Sequence, residues 1–387
     1  MINKVVVYAD HAATTPLLPE ALDAILPYFQ EKFGNPSRLY SRGVQTREAV
    51  TKARTTIACC LHALPEEIYF TSGGTESDNW ALAGVTRALR RKGKHIIVSS
   101  IEHHAVLNCC KALEEDGYEI TYLPVTHKGK VEVETLKQML RTDTVLVSIM
   151  LANNEIGTIQ DITSLAKIAH QHGILFHTDA VQAVGHIPVD VKRLGVDLLS
   201  ASAHKFNGPQ GCGLLYVKSG TPIQPFHRGG QQERGLRAGT ENVPGIVGMA
   251  VALEHHTRNF GITQRRLRAF TQRLKEIVIK GWPEAVFNGY CRRNLPGHIS
   301  VSFPGCDGEA LLHLLDLKGI CVSTGAACNS HSTEISHVLR AIGLEEQVAR
   351  GTLRITLGDE NTSQEVLTIA NTTLDMVRKI MANGRQF

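Results

Sequence analysis

The sequence predicts an α/β protein with a mostly parallel seven-stranded sheet in a large domain, followed by a smaller α+β domain. From about residue 66, seven apolar β-rich runs (EIYFTS, HIIVSS, EITYLPV, TVLVSIML, ILFHTD, DLLSAS and GLLYV) alternate with segments of helical spacing. That alternation is the pattern of a parallel sheet covered by helices on both faces. From about Glu254 a charged helical stretch, HHTRNFGITQRRLRAFTQRLKEIV, leads into a different order, with short strands near HISVSF and TLRITL separated by helical segments. A chain of 387 residues, 43% hydrophobic and 20% charged, is also long and apolar enough for two buried cores.

Composition excludes several classes. The formal net charge of +4 comes without a run of five lysines or arginines and without a nucleic-acid-binding fingerprint. Charge therefore names no partner. Nine cysteines include two adjacent pairs, Cys59 with Cys60 and Cys109 with Cys110, but no CxxC spacing, so neither a zinc site nor a disulfide framework is indicated. The segment MINKVVVYAD has too short an apolar core for a signal peptide or a membrane span, which points to the cytoplasm. No internal repeat, low-complexity tract or long linker interrupts the chain.

In an open α/β sheet ligands collect beyond the strand ends, so the residues after each apolar run are the informative ones. After EIYFTS comes GGTESDN, where glycines permit a turn, Thr75 can cap a helix and Asp78 follows three residues on. Backbone N–H groups at such a helix start suit a phosphate, although a Gly-Gly-Thr turn alone is an ordinary loop. Beyond HIIVSS lies His103, by itself a satisfied polar residue. Past TVLVSIML lies Asn154, by itself part of an Asn-rich turn.

After ILFHT come Asp179 and, three residues later, Gln182. A carboxylate at the end of a buried strand must find a cation or donors, because an unpaired buried charge is very costly. Beyond DLLSAS stand His204 and Lys205, which with Asp179 reads as a surface ion pair if taken alone. Taken together, the five strand ends suit one ligand, pyridoxal 5'-phosphate. Its phosphate fits the Gly-Gly-Thr helix start, its aldehyde can form a Schiff base with Lys205, and Asp179 can keep its pyridine nitrogen protonated. Gln182 is then placed for the phenolic oxygen, His103 for the ring face, and Ser202 and His204 for the phosphate.

The motifs ADHAATTP, FGNPSRLY, TSGGTESDN, IEHHAV, NNEIG, HTDAVQAVG, SAHKFNGPQG, GGQQERGLRAGTENVPG, VSTGAACNS and TLRITLG resemble, in order and over essentially the whole length, those of fold-type I pyridoxal-phosphate enzymes. Within that class the chain is similar to the cysteine desulfurases of the IscS/NifS type. The resemblance implies that Lys205 is the Schiff-base lysine and His103 the stacking acid/base. It makes Asp179 and Gln182 the ring partners, and Gly74, Thr75, Ser202 and His204 the phosphate cradle. Thr240 would reach a neighbouring subunit's phosphate in a homodimer, and Arg354, assisted by Asn154, would clamp the substrate carboxylate through its planar fork. His11 and His104 depart from the family pattern without touching an assigned role.

Cys328 lies in STGAACNSHSTE, whose small and polar residues predict an exposed loop, a poor place for a packing cysteine. It reads as a nucleophile, one that needs a base to take its proton. The implied reaction turns L-cysteine into L-alanine and a persulfide on Cys328, which passes sulfur to an iron–sulfur scaffold or thiolation acceptor. The resemblance also sets the large domain at residues 15–255 and the small one at 1–14 with 256–387. Competing readings are a selenocysteine lyase or an aminotransferase on the same fold, and a non-catalytic sulfur-carrier or assembly protein.

Overall fold

A computed structural model describes residues 6–324 and 335–383. Its first strand is β1 (Val7–Tyr8), followed by β2 (Ile68–Thr71), β3 (His95–Ser99), β4 (Glu119–Leu123), β5 (Thr144–Ser148), β6 (Leu175–Asp179), β7 (Leu198–Ser202) and β8 (Gly213–Val217). Strands β2 to β8 form one sheet in the order β2-β8-β7-β6-β5-β3-β4. Only β8 runs antiparallel to its neighbours, while β7, β6, β5, β3 and β4 pair in parallel. The mostly parallel seven-stranded sheet expected from the apolar runs is therefore present.

Every residue of β3, β5, β7 and β8 is buried, which explains why these strands read as continuous apolar runs and not as alternating ones. The edge strand β4 is mostly exposed or half-buried. Beside β3 the chain departs outward to β4, whereas from β5 it proceeds to β6 on the other side. This reversal opens a crevice at the carboxyl ends of the strands, where ligands bind in open sheets of this kind.

The remaining strands are β9 (Val286–Phe287), β10 (His298–Ser302), β11 (Ile320–Cys321), β12 (Ser323–Thr324) and β13 (Thr352–Thr356). An antiparallel sheet joins them in the order β12-β13-β10-β9, and β1 pairs in parallel with β11. Val7 and Ala9 thus pack in one cluster with Val301, Leu353 and Ile355, far along the chain.

A helix of 39 residues, Val243–Gly281, joins the two regions. It starts earlier than the charged stretch suggests, because the Asn242 side chain accepts the Gly245 N–H and Pro244 sits in the first turn, where its missing N–H costs nothing. Its early residues Val243, Ile246, Met249 and Leu253 pack beneath the large sheet. Leu267, Leu274 and Val278, further along, belong to the cluster of β10 and β13. No helix among the described residues is long and apolar enough to cross a membrane.

Candidate active site

The first wall of the crevice is the start of the helix Gly74–Ala88, directly after β2. Gly73 occupies the cap position with φ +157° and ψ −175°, a backbone region that side chains other than glycine's scarcely reach. A β-carbon on Gly74 would lie 2.6 Å from Val181 Cγ2, so the missing side chain is what lets the helix start against the loop after β6. The expected cap by Thr75 is not formed. Gly73 lets the chain turn two residues sooner, leaving Thr75 exposed in the first turn.

A cavity of about 340 Å³ lies in this crevice. Gly74, Thr75, Ser202, His204, Asp179, Gln182 and His103 all line it. Lys205, Asn154 and Arg354 complete the set of predicted residues brought together. Thr240 is exposed and does not line this cavity, and Cys328 lies outside the described residues.

Lys205 follows β7 in a short turn, Ala203–Lys205. Its Nζ donates to the carbonyls of Ala12 and Ala13, each at 2.7 Å. Its own carbonyl accepts from His186 Nε2 at 2.7 Å. The lysine is thus held on both its main chain and its amine, and the ADHAATTP segment supplies the acceptors.

Asp179, at the end of β6, is 4% exposed, and its Oδ1 accepts the Val181 N–H at 2.9 Å. Burial pushes its carboxyl up to about 6, against the opposing pull of the Val181 bond and of Lys205. Behind it stands Asp78, fully buried, raised well above the ordinary range by burial and by Asp179, with no hydrogen-bond partner at Oδ1. His177 Nε2 lies 3.7 Å from that oxygen, yet burial pushes this imidazole down to about 3, so it is neutral. Its two nitrogens are satisfied by Ser148 and Ser200. Two buried carboxyls side by side call for a positive partner, and the protonated pyridine nitrogen of the cofactor would supply one at Asp179. The residues present therefore fit pyridoxal phosphate. Sequence reading missed the part played by Asp78, whose burial no local pattern announces.

His103 caps the helix His104–Glu115, its Nδ1 accepting the Ala105 N–H at 3.1 Å. Burial and then Lys205 push its pKa down to about 4, so the ring is neutral and carries its proton on Nε2. His204 is pushed down to about 4 for the same two reasons, and its Nδ1 is 3.1 Å from Thr14 Oγ1. Gln182 Nε2 donates to the Ala12 carbonyl at 3.0 Å, leaving its oxygen free of that contact.

Arg354 projects from β13, where it is the register partner of Ser323. Its Nη1 donates to the Asn154 carbonyl at 3.0 Å and its Nη2 to Asp10 Oδ1 at 2.8 Å. Asp10 and Ser323 were not among the residues picked from sequence. The unusual density of polar and small residues in ADHAATTP was the available signal for the first of them.

The model of the family described as aminotransferase class-V matches residues 7–369. A cysteine desulfurase IscS from Methanosarcina thermophila is 51% identical over 374 residues, covering 97% of this chain and 92% of that protein. A human cysteine desulfurase is 42% identical over 362 residues, 93% of this chain and 79% of its own length. Among solved structures, a NifS-like protein superposes with a TM-score of 0.92 at 38% identity, covering 97% of this chain and all of the other. SspA in complex with cysteine gives a TM-score of 0.81 at 36% identity, with 91% and 98% covered. The chain belongs to the class-V aminotransferase family, among its cysteine desulfurases of the IscS/NifS type.

Proposed function

We propose that the protein converts L-cysteine to L-alanine and receives the removed sulfur on Cys328 as a persulfide, using pyridoxal 5'-phosphate. The observation that carries this reading is the convergence of Lys205, Asp179, His103, Arg354 and a glycine-initiated helix start on one cavity. Lys205 would hold the cofactor covalently, Asp179 and Gln182 its ring, and Gly74, Thr75, Ser202 and His204 its phosphate. When bound, the cofactor supplies an aldehyde for attachment and a ring that draws electron density from the substrate Cα.

The chain's own residues do the rest. Arg354 binds the substrate carboxylate, with Asn154 beside it, and so fixes which substituent of Cα faces the cavity. Lys205 Nζ moves the Cα proton. Cys328 Sγ attacks the substrate Sγ, so that an S–S bond forms as the C–S bond breaks and the carbon takes a proton. His103 exchanges protons in this step. With Nδ1 engaged by Ala105 it is a donor at Nε2, and to accept the thiol's proton it must release that bond and change tautomer.

The persulfide would then pass to an iron–sulfur scaffold or thiolation protein. In this reading the protein is a cytoplasmic homodimer with domains at 15–255 and at 1–14 plus 256–387. Thr240 serves the neighbouring copy's phosphate, for which its exposure outside its own cavity is support. The test is to follow alanine and labelled sulfur separately in the cofactor-loaded protein. Cys328→Ser should keep the yellow colour and bind L-cysteine yet carry no persulfide, and normal desulfuration by this variant would sink the mechanism.

A further inference from the structure

Asp10 is held in place before it touches anything in the cavity. Ala9 donates to the Cys321 carbonyl and accepts from Thr356, while His11 donates to the Thr356 carbonyl, so the backbone on both sides of Asp10 is stitched to β11 and β13. Its two carboxylate oxygens then have separate tasks. Oδ1 accepts Arg354 Nη2 and Oδ2 accepts the Ser323 hydroxyl, each at 2.8 Å. Ser323 and Arg354 are opposite one another in the β12–β13 ladder, so the three side chains form a closed unit on one sheet face.

The guanidinium is thereby fixed at both ends, by Asp10 at Nη2 and by the Asn154 carbonyl at Nη1. Its Nε is buried and has no hydrogen-bond partner. A buried donor without an acceptor is costly, and an arginine has five N–H groups arranged in a rigid fork. Two acceptors at the ends fix the plane of that fork, and the remaining N–H groups are those a carboxylate can use. Among the described residues Asp10 is the only carboxylate hydrogen-bonded to Arg354, while the buried Glu155 acts on it through charge alone.

We infer that Asp10 is a positioning residue for substrate recognition: it orients Arg354 for the α-carboxylate, and Ser323 in turn orients Asp10. The inference rests on the reading of Arg354 as the carboxylate clamp and adds the residues that aim it. Arg354 itself touches substrate, whereas Asp10 acts through it.

The test uses cofactor-loaded protein, titrated spectroscopically with L-alanine and with ethylamine, which is the same amine without the carboxylate. Asp10→Ala should weaken L-alanine binding about tenfold or more and raise KM for L-cysteine similarly, with a smaller effect on kcat, while ethylamine binding moves less than about twofold. Asp10→Asn, which keeps an oxygen acceptor for Nη2, should recover most of the lost affinity. Ser323→Ala should repeat the pattern at about threefold, and it keeps the test standing if Asp10→Ala does not fold. Equal losses for both amines, or unchanged L-alanine affinity in both Asp10→Ala and Ser323→Ala, would overturn the inference. Failure of the wild type to form alanine from L-cysteine would instead overturn the desulfurase reaction, leaving the two titrations interpretable.

Discussion

Arg54 and Glu233 meet through two parallel hydrogen bonds, Nη1 to Oε2 at 2.8 Å and Nη2 to Oε1 at 2.6 Å, with the two side chains only 13% and 3% exposed. The same carboxylate accepts the Phe70 N–H at 3.1 Å, and the Ile68 carbonyl accepts from both Arg54 and Arg234. Because β2 is the outer strand of its sheet, these side chains occupy an edge that would otherwise be a bare row of peptide groups. They also hold Glu233 and Arg234 at φ +45° and +58°, in the segment leading to Thr240.

Glu233→Ala should therefore destabilise the protein by about 3–5 kcal/mol, since it leaves a buried arginine without its counter-charge and a strand amide without its acceptor. Urea denaturation measures this. A loss below about 1 kcal/mol would mean that the edge is closed by other means.

Glu102 should make stability depend on pH in a particular direction. It is fully buried, its Oε1 accepts from Ser99 and Met150, its Oε2 has no partner, and burial pushes its pKa up to about 8. A carboxyl raised above its ordinary value contributes stability that is fully present below about pH 4.5 and lost as pH rises through about 8. Glu102→Gln lacks that dependence, so its stability relative to wild type should improve steadily from pH 5 to pH 8. The imidazoles of His177, His256 and His298, pushed down to about 3 by burial, work oppositely. Their contribution is complete above about pH 6.5 and is lost on acidification. A constant difference between the two proteins across pH 5 to 8 would show that Glu102 is ionised in the native state.

Lys205→Ala should fold with wild-type far-ultraviolet circular dichroism, yet borohydride should no longer fix cofactor to the chain and alanine should not form from cysteine. Unaltered turnover would remove this lysine from the mechanism.

Asp179→Ala should hold the cofactor more weakly and lose on the order of hundredfold or more in rate, as expected for removing electrostatic support from developing charge. Spectral titration with pyridoxal phosphate and single-turnover rates report the two effects separately. Wild-type values for both would refute the pairing of Asp179 with the ring.

The sheet was legible because burial on both faces writes its central strands as apolar runs, the edge strand β4 being the exception, and most of the candidate site was legible because its residues stand just beyond those runs. What stayed hidden depends on partners remote in sequence. Asp10 and Arg354 are 344 residues apart, and Arg54 and Glu233 are 179 apart, so neither pair leaves a local pattern. Asp78 was misread for a related reason. As a residue three positions beyond an expected cap it looked like part of a helix start, whereas a change of two positions in the cap carries it into the interior, where it meets Asp179.

At 1.5 Å per residue, the helix Val243–Gly281 is a rod about 58 Å long. One end is rooted in the cluster that contains Ala203 and Phe206, the neighbours of Lys205, and the other in the cluster that contains Leu353 and Ile355, the neighbours of Arg354. Lys205 and Arg354, which line one cavity, are thus each backed by a core that a different part of the same helix enters. Gly261, near the midpoint, is the residue there least committed to helix. A substitution at that position touches nothing in the cavity, yet it falls on the one helix that the two cores behind the cavity have in common.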